Sequence, residues 1–182
     1  MQRTISTALS ANAGRRATVQ GWVHRIRRLS AVSFLIVRDR GGFAQVVVSD
    51  EGGRAHLDGL TEETVVSVDG AVTPNVKAPG GFELTDPRIT KLSSRAVTPP
   101  VELWRPSLDT SLPTLLNHAP VLWRHRTQQA IWRLAAASLR GFRRVLDDQG
   151  FTEIQTPKLV GISTEAGANV FIVDYFGRPA YL

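Results

Sequence analysis

Between residues 17 and 93, apolar and polar positions exchange in short runs separated by Gly, Pro, Asp and Ser, and that rhythm predicts strands. The five candidates are "ATVQGWVHRIRRL" (17–29), "VSFLIVR" (32–38), "FAQVVVS" (43–49), "TVVSVDGAVTP" (64–74) and "GFELTDPRITKL" (81–92). The second and third flank a charged, glycine-rich turn, "DRGG", and read as a hairpin. With an even loop, Arg38 pairs with Phe43, and Gln45 falls opposite Ile36 and diagonal to Phe34 on one face. Between the third and fourth runs, "GRAHLDGLTEE" fits a loop with one helical turn. Ahead of the first run, "MQRTISTALSANAGRR" reads as a short amphipathic helix. Five short strands with a small helical insert after the third predict a closed β barrel of the OB-fold type over residues 1–96.

The pattern then changes. Pro99, Pro100, Pro106, Pro113 and Pro120 crowd residues 97–120, a stretch that cannot be a regular helix or a central strand and reads as an ordered linker. Leu103, Trp104 and Leu108 are its expected anchors. In "RTQQAIWRLAAASLRGFRRVLDDQG" (126–150), apolar residues recur at Ile131, Leu134, Ala135, Phe142, Val145 and Leu146, so a long helix stopped by Gly150 is predicted. "FTEIQTPKLV" (151–160) alternates up to Pro157, as a strand would, and "VFIVDYFGRPAYL" (170–182) reads as a strand and hairpin. Residues 121–182 thus form the opening of a second, α+β domain.

Charge narrows the partner class. The net charge is +6, and only three of the 22 basic residues are lysine. Planar guanidinium groups suit bidentate phosphate contact and base stacking, which favours a polyanion. No cysteine is present, which excludes disulfides and thiolate metal sites. The sequence holds no 18-residue apolar run, so no membrane-spanning helix is expected, and a cytoplasmic protein fits. The four histidines are scattered, no acidic cluster suggests a metal site, and no catalytic set or bound cofactor is expected in this chain. The hairpin face carries the informative chemistry. A ring at Phe34 offers a platform for an unstacked base, the amide of Gln45 offers a donor and an acceptor, and "HRIRR" sets Arg25, Arg27 and Arg28 nearby for phosphates. Phe34 as barrel core and Gln45 as a solvated edge residue is the plain alternative.

"GWVHRIRRLSAVSFLIVRDRGGFAQVV" resembles, nearly position for position, the anticodon-binding barrel of the aspartyl- and asparaginyl-tRNA synthetase family. The resemblance implies that Phe34 stacks on an anticodon base, Gln45 reads the central uracil and Arg27 contacts the anticodon loop. It departs from the family at Arg28-Leu29-Ser30, where Asp and then Leu-Gly usually stand. "NVKAPGGFEL" (75–84) is similar to the archaeal-type branch. There, His and Pro at the positions of His24 and Pro79 go with relaxed reading of the last anticodon base, which implies that both tRNA-Asp and tRNA-Asn are partners. Pro79 as a simple turn residue is the alternative.

"GFTEIQTPKLV" is similar to motif 1 of class II synthetases, which implies a homodimer interface at the long helix with Pro157 near the active site. "STEAGANVFIVDYF" resembles the loop that closes over the amino acid, with Thr164, Glu165 and Gly167 matching and Ala166 replacing a glycine. In the intact family the enzyme uses ATP and Mg²⁺ through motifs 2 and 3, which have no counterpart in this sequence. The expectation is therefore the N-terminal portion of an aspartate–tRNA ligase, inactive alone. A stand-alone OB-fold protein binding RNA or single-stranded DNA, with 121–182 as a dimerisation tail, is the rival.

Overall fold

The computed structural model describes residues 3–162 and 170–182. It divides into two compact units, one ending at Ala130 and one beginning at Ile131.

In the first unit, β1 (Arg16–Arg28), β2 (Ser33–Arg38), β3 (Phe43–Val48), β4 (Val65–Pro74) and β5 (Phe82–Lys91) close into a barrel of order β1-β2-β3-β5-β4. β1 is long enough to serve two neighbours: its first half pairs with β4 and its second with β2, with a bulge between Val23 and Arg25. Where β1 changes partner, Gly21 lies against β2 so closely that a Cβ would sit 2.1 Å from the Arg38 carbonyl oxygen. The ring is shut by two parallel pairs of β3 and β5, Gln45 with Glu83 and Val46 with Leu84. Val19, Val23, Leu35, Val37, Val46, Val48, Val66, Val68 and Leu84 fill the interior. Their β-branched and leucine side chains alternate inward along each strand, each contributing roughly 1.5–3 kcal/mol on burial.

The N-terminal stretch forms a 3₁₀ segment, Ser6–Asn12, rather than an α-helix, and its Leu9 joins the core. The hairpin turn is tied to it through Asp39. That carboxylate accepts from Ser6 N (2.7 Å), Ser6 Oγ (2.7 Å), Gly41 N (2.8 Å) and Gly42 N (3.0 Å). The helical insert is α1 (Glu51–His56), capped by the Asp50 side chain on Gly53 N.

The proline-rich stretch corrects one expectation. It contains two short helices, α2 (Leu112–Asn117) and α3 (Ala119–Leu122). Pro113 and Pro120 sit in their first turns, where the missing N–H has no intrahelical acceptor in any case. The stretch belongs to the barrel's own unit: Leu103 and Leu122 are buried, and Trp104 and Leu108 half-buried.

α4 (Arg126–Asp148) ends as its sequence predicts. Gly150 takes φ +83°, Gly150 N bonds Asp147 O and Phe151 N bonds Leu146 O, the paired bonds of a Schellman stop. Its apolar side chains Ile131, Leu134, Phe142 and Val145 are exposed. Residues 151–157 differ from the predicted strand: among the described residues they have no ladder partner, and Val160 bridges to Tyr181. β6 (Ile172–Tyr175) and β7 (Arg178–Tyr181) form the predicted hairpin.

Candidate nucleic-acid interface

Cross-strand register sorts the outer face of β1, β2 and β3 into rows. Arg27, Phe34 and Val47 make one; Arg25, Ile36, Gln45 and Glu83 make the next; Trp22, Arg38 and Phe43 make the third. The hairpin register is the predicted one, with Arg38 opposite Phe43 and Gln45 opposite Ile36. Leu35 and Val37 point into the barrel and are fully enclosed, so the half-buried Phe34 ring stands on the outside. The Arg27 guanidinium leans over it at 5.5 Å from the ring centroid. That pair leaves a planar apolar surface edged by a cation, which fits a stacked base followed by a phosphate.

Gln45 is held rather than loose. Its Nε2 donates to Glu83 Oε2 at 2.9 Å, and Asn75 Nδ2 donates to the same oxygen at 2.8 Å. One carboxylate therefore fixes the amide of Gln45 and the start of the loop that contains Pro79. Asn75 N also bonds Gly81 O across that loop, and Pro79 begins its 3₁₀ turn, half-buried. Gln45 is only 8% exposed, and with one N–H engaged its carbonyl and second N–H have no partner among the described residues.

His24 occupies the bulge of β1. Its ring stacks on Phe43 with centroids 4.6 Å apart and planes at 29°. Its Nδ1 lies 3.2 Å from Arg38 Nη1. Burial first, then the charges of Arg38, His125 and Arg25, hold the imidazole down at about 4, so the ring is neutral at neutral pH. Arg38 itself is anchored by Glu63: Arg38 Nη2 donates to both carboxylate oxygens (2.8 and 2.9 Å), and Arg124 donates to Oε2. The two guanidiniums lie 5.7 and 5.2 Å from the Trp22 ring.

The remaining expected contacts are partly engaged. Arg25, expected to be free for phosphate, stacks 3.5 Å over Trp104. Arg28 donates to Asp58 Oδ1 (2.9 Å) and Leu57 O (3.4 Å). Both Arg28 and Asp58 are exposed, and such a pair is worth about 0–1 kcal/mol, so Arg28 can exchange Asp58 for a phosphate at little cost. Arg54 Nη1 donates to Ser30 O. The loop in which Arg28-Leu29-Ser30 replaces the family's acid and glycine is thus braced from α1. Glu83, Asn75, Glu63 and Arg38 were not singled out from sequence. Glu83 had one available signal, an acid in an otherwise apolar strand start.

In the second unit, Pro157 closes the unpaired stretch 151–157. Thr164, Glu165 and Gly167 lie outside the described residues. Among the described residues no three His, Asp or Glu side chains gather as a metal site, and no helix is long and apolar enough to cross a membrane.

Residues 17–92 match the family described as an OB-fold nucleic acid binding domain, and residues 112–181 match class II tRNA synthetases of the D, K and N type. The chain belongs to the class II aspartyl- and asparaginyl-tRNA synthetase family. The aspartate–tRNA(Asp/Asn) ligase of Thermus thermophilus is 40% identical over 184 residues, covering 99% of this chain and 41% of that protein. The corresponding ligase of Deinococcus radiodurans is 37% identical over 185 residues, covering 100% and 40%. Asparaginyl-tRNA synthetase from Pyrococcus horikoshii, solved with asparaginyl-adenylate, superposes with a TM-score of 0.80 at 28% identity over 94% of this chain and 40% of that one. The synthetase-family chain thus spans about two fifths of the length of these curated relatives.

Proposed function

We propose that this chain is the anticodon-reading portion of an aspartate–tRNA ligase that serves both tRNA-Asp and tRNA-Asn. The carrying observation is the outer barrel face, where the Phe34 ring, the Arg27 guanidinium and the Glu83-held amide of Gln45 lie in adjacent rows. In this reading Phe34 stacks on an anticodon base, Gln45 pairs with the edge of the central base, and Arg27, Arg28 and Arg25 meet the backbone. His24 and Pro79 flank the last anticodon base. Residues 1–96 bind the anticodon, 97–120 connect, and 121–182 open the catalytic domain, with Thr164, Glu165 and Gly167 in its amino-acid loop.

The parent reaction is ATP-dependent, Mg²⁺-assisted attachment of aspartate to tRNA in the cytoplasm. ATP supplies the activation of the carboxylate. Among the described residues no cluster of three acids or histidines is placed to hold Mg²⁺. The exposed apolar residues of α4, together with Pro157, fit a homodimer interface of the intact enzyme.

The test is a titration of the purified chain with tRNA-Asp, tRNA-Asn and an unrelated tRNA, with Gln45→Ala alongside. Both cognate tRNAs should bind more tightly than the unrelated one, and Gln45→Ala should erase that margin. Equal binding of all three, untouched by the substitution, refutes the proposal.

A further inference from the structure

From Ile131 onward, α4 gathers cations on one side. At roughly 100° per residue, Arg133, Arg140 and Arg144 fall within about 40° of arc and extend along about 16 Å of the helix axis. Ile131 and Phe142 lie on the opposite side. The three arginines are exposed, and none makes an ion pair or hydrogen bond among the described residues. Arg143, on a different side, is by contrast engaged: its Nε donates to Glu153 Oε1 at 3.0 Å. Neither Arg133 nor Arg140 has an acid three or four residues away. Arg140 and Arg144 stand four apart, a like-charge spacing that weakens a helix by itself. Acids come only in the last turn, at Asp147 and Asp148.

Beside this row the helix surface is bare. Ala136, Ala137 and Gly141 are the small residues that flank it. Gly141 stands inside a 23-residue helix, where glycine is the least favourable residue after proline. A Cβ at Gly141 would meet nothing within 4 Å, so no neighbour among the described residues requires the glycine. What it provides is room for a broad partner to approach the helix backbone between the Arg140 and Arg144 side chains.

We propose that the Arg133–Arg140–Arg144 row is a second nucleic-acid surface, one that takes the phosphate backbone of double-stranded RNA without reading its sequence. A solvated helix face mixes charges of both signs. This one presents a single sign, in guanidinium form throughout, and a guanidinium matches phosphate oxygens two at a time. A nucleic-acid duplex carries about one phosphate per 1.7 Å of its axis, so a row about 16 Å long meets several in any register. The apolar side of α4 stays available for an interface between subunits. None of these residues belongs to the outer face of the barrel, and the inference does not depend on the anticodon reading.

The experiment measures fluorescence anisotropy of two probes with the full chain over a salt series. One probe is a blunt RNA duplex with no loop, and the other is a single-stranded oligonucleotide of anticodon-loop sequence. Arg133→Gln, Arg140→Gln and Arg144→Gln together should weaken duplex binding and lower its salt slope by about one unit per arginine. Glutamine is a good helix former, and circular dichroism confirms that α4 persists. Duplexes of unrelated sequence should bind alike. Arg88→Gln, Lys91→Gln and Arg95→Gln together remove the same charge from exposed positions elsewhere and should leave the duplex near wild-type affinity. Gly141→Gln should raise helix content yet weaken duplex binding, opposite signs that a merely structural glycine would not give. The oligonucleotide should bind the α4 triple variant as it binds wild type, whereas Phe34→Ala should lose the oligonucleotide and keep the duplex. Failure of the anticodon reading is thereby distinguished from failure of this one. The proposal is overturned if wild type does not bind the duplex at low salt, or if the α4 triple variant binds it as wild type does. It is overturned equally if the control triple variant weakens binding as much, or if polyglutamate at equal charge displaces the duplex, which would assign the row to an acidic protein.

Discussion

Phe34→Ala isolates the stacking contribution, because the ring contributes little to the barrel's interior. Leu35 and Val37 on either side are fully enclosed, while Phe34 is half-buried on the outer face beside Arg27. A fully buried Phe→Ala change costs about 3–5 kcal/mol; at a half-buried site the fold should lose about 1–2 kcal/mol and remain folded at 25 °C. Against RNA the loss is larger in effect. One base–aromatic stack is worth about 1–3 kcal/mol, which is roughly a 5- to 150-fold rise in Kd. Arg27 also loses the ring it leans on, a contact worth about 0.5–1 kcal/mol at an exposed site. Fluorescence anisotropy with labelled tRNA-Asp at fixed salt gives the Kd, and a thermal melt of the same samples gives the fold. A double-mutant cycle with Arg27→Ala should show coupling, and Arg27→Ala alone should lower the salt slope by about one unit. The reasoning fails if Phe34→Ala binds within about twofold of wild type. It fails equally if the melt collapses, since the ring would then be core.

Three further outcomes follow from the geometry. Asp39→Ala removes a buried carboxylate that accepts four hydrogen bonds and should cost about 3 kcal/mol in urea unfolding, with Asp39→Asn intermediate. Gly21→Ala places a methyl 2.1 Å from a backbone oxygen, so the strand must move; a loss of about 3 kcal/mol or more is expected, and a near-neutral melt would contradict the close approach of β1 to β2 at Gly21. His24 takes a proton near pH 6.5 when unfolded but only at about 4 when folded. The unfolded chain therefore binds more protons between those values, so stability should decline as pH falls through that window and stay level above it. His24→Gln should flatten that part of the stability–pH curve, and an unchanged slope would count against the buried neutral ring.

The barrel was legible because each strand carries its own signal. The Val- and Leu-rich inner positions alternate, and the turns at residues 39–42 and around Gly80 announce themselves, so strand limits agree to within a residue or two. The pairing of Arg38 with Phe43 followed from the even loop, and with it the placement of Gln45 near Phe34. Interactions between distant residues had no such signature. Ser6 and Asp39 are 33 positions apart, Arg38 and Glu63 are 25 apart, and Glu63 and Arg124 are 61 apart. Nothing in local pattern marks an acid as the partner of one arginine rather than another. Arg25 and Arg28 were read as free cations for the same reason, since Trp104 and Asp58 are brought to them only by the fold. Prolines misled where their position within a helix mattered more than their number, as Pro113 and Pro120 show. Residues 151–157 have strand-like alternation, but a strand requires a neighbour, and none is present among the described residues.

The ring of strands has a weak seam. Among the described residues the ladder between β3 and β5 has two register pairs, and one of them joins Gln45 to Glu83. The residue assigned to sense the RNA is therefore also a fastener of the cylinder, and its side chain reaches the same carboxylate that its backbone neighbours. On the proposed function, a nucleic acid that engages the amide would bear on this edge of the wall. An opening of this edge would part Gln45 from Glu83, so on the proposed function recognition depends on the barrel staying shut.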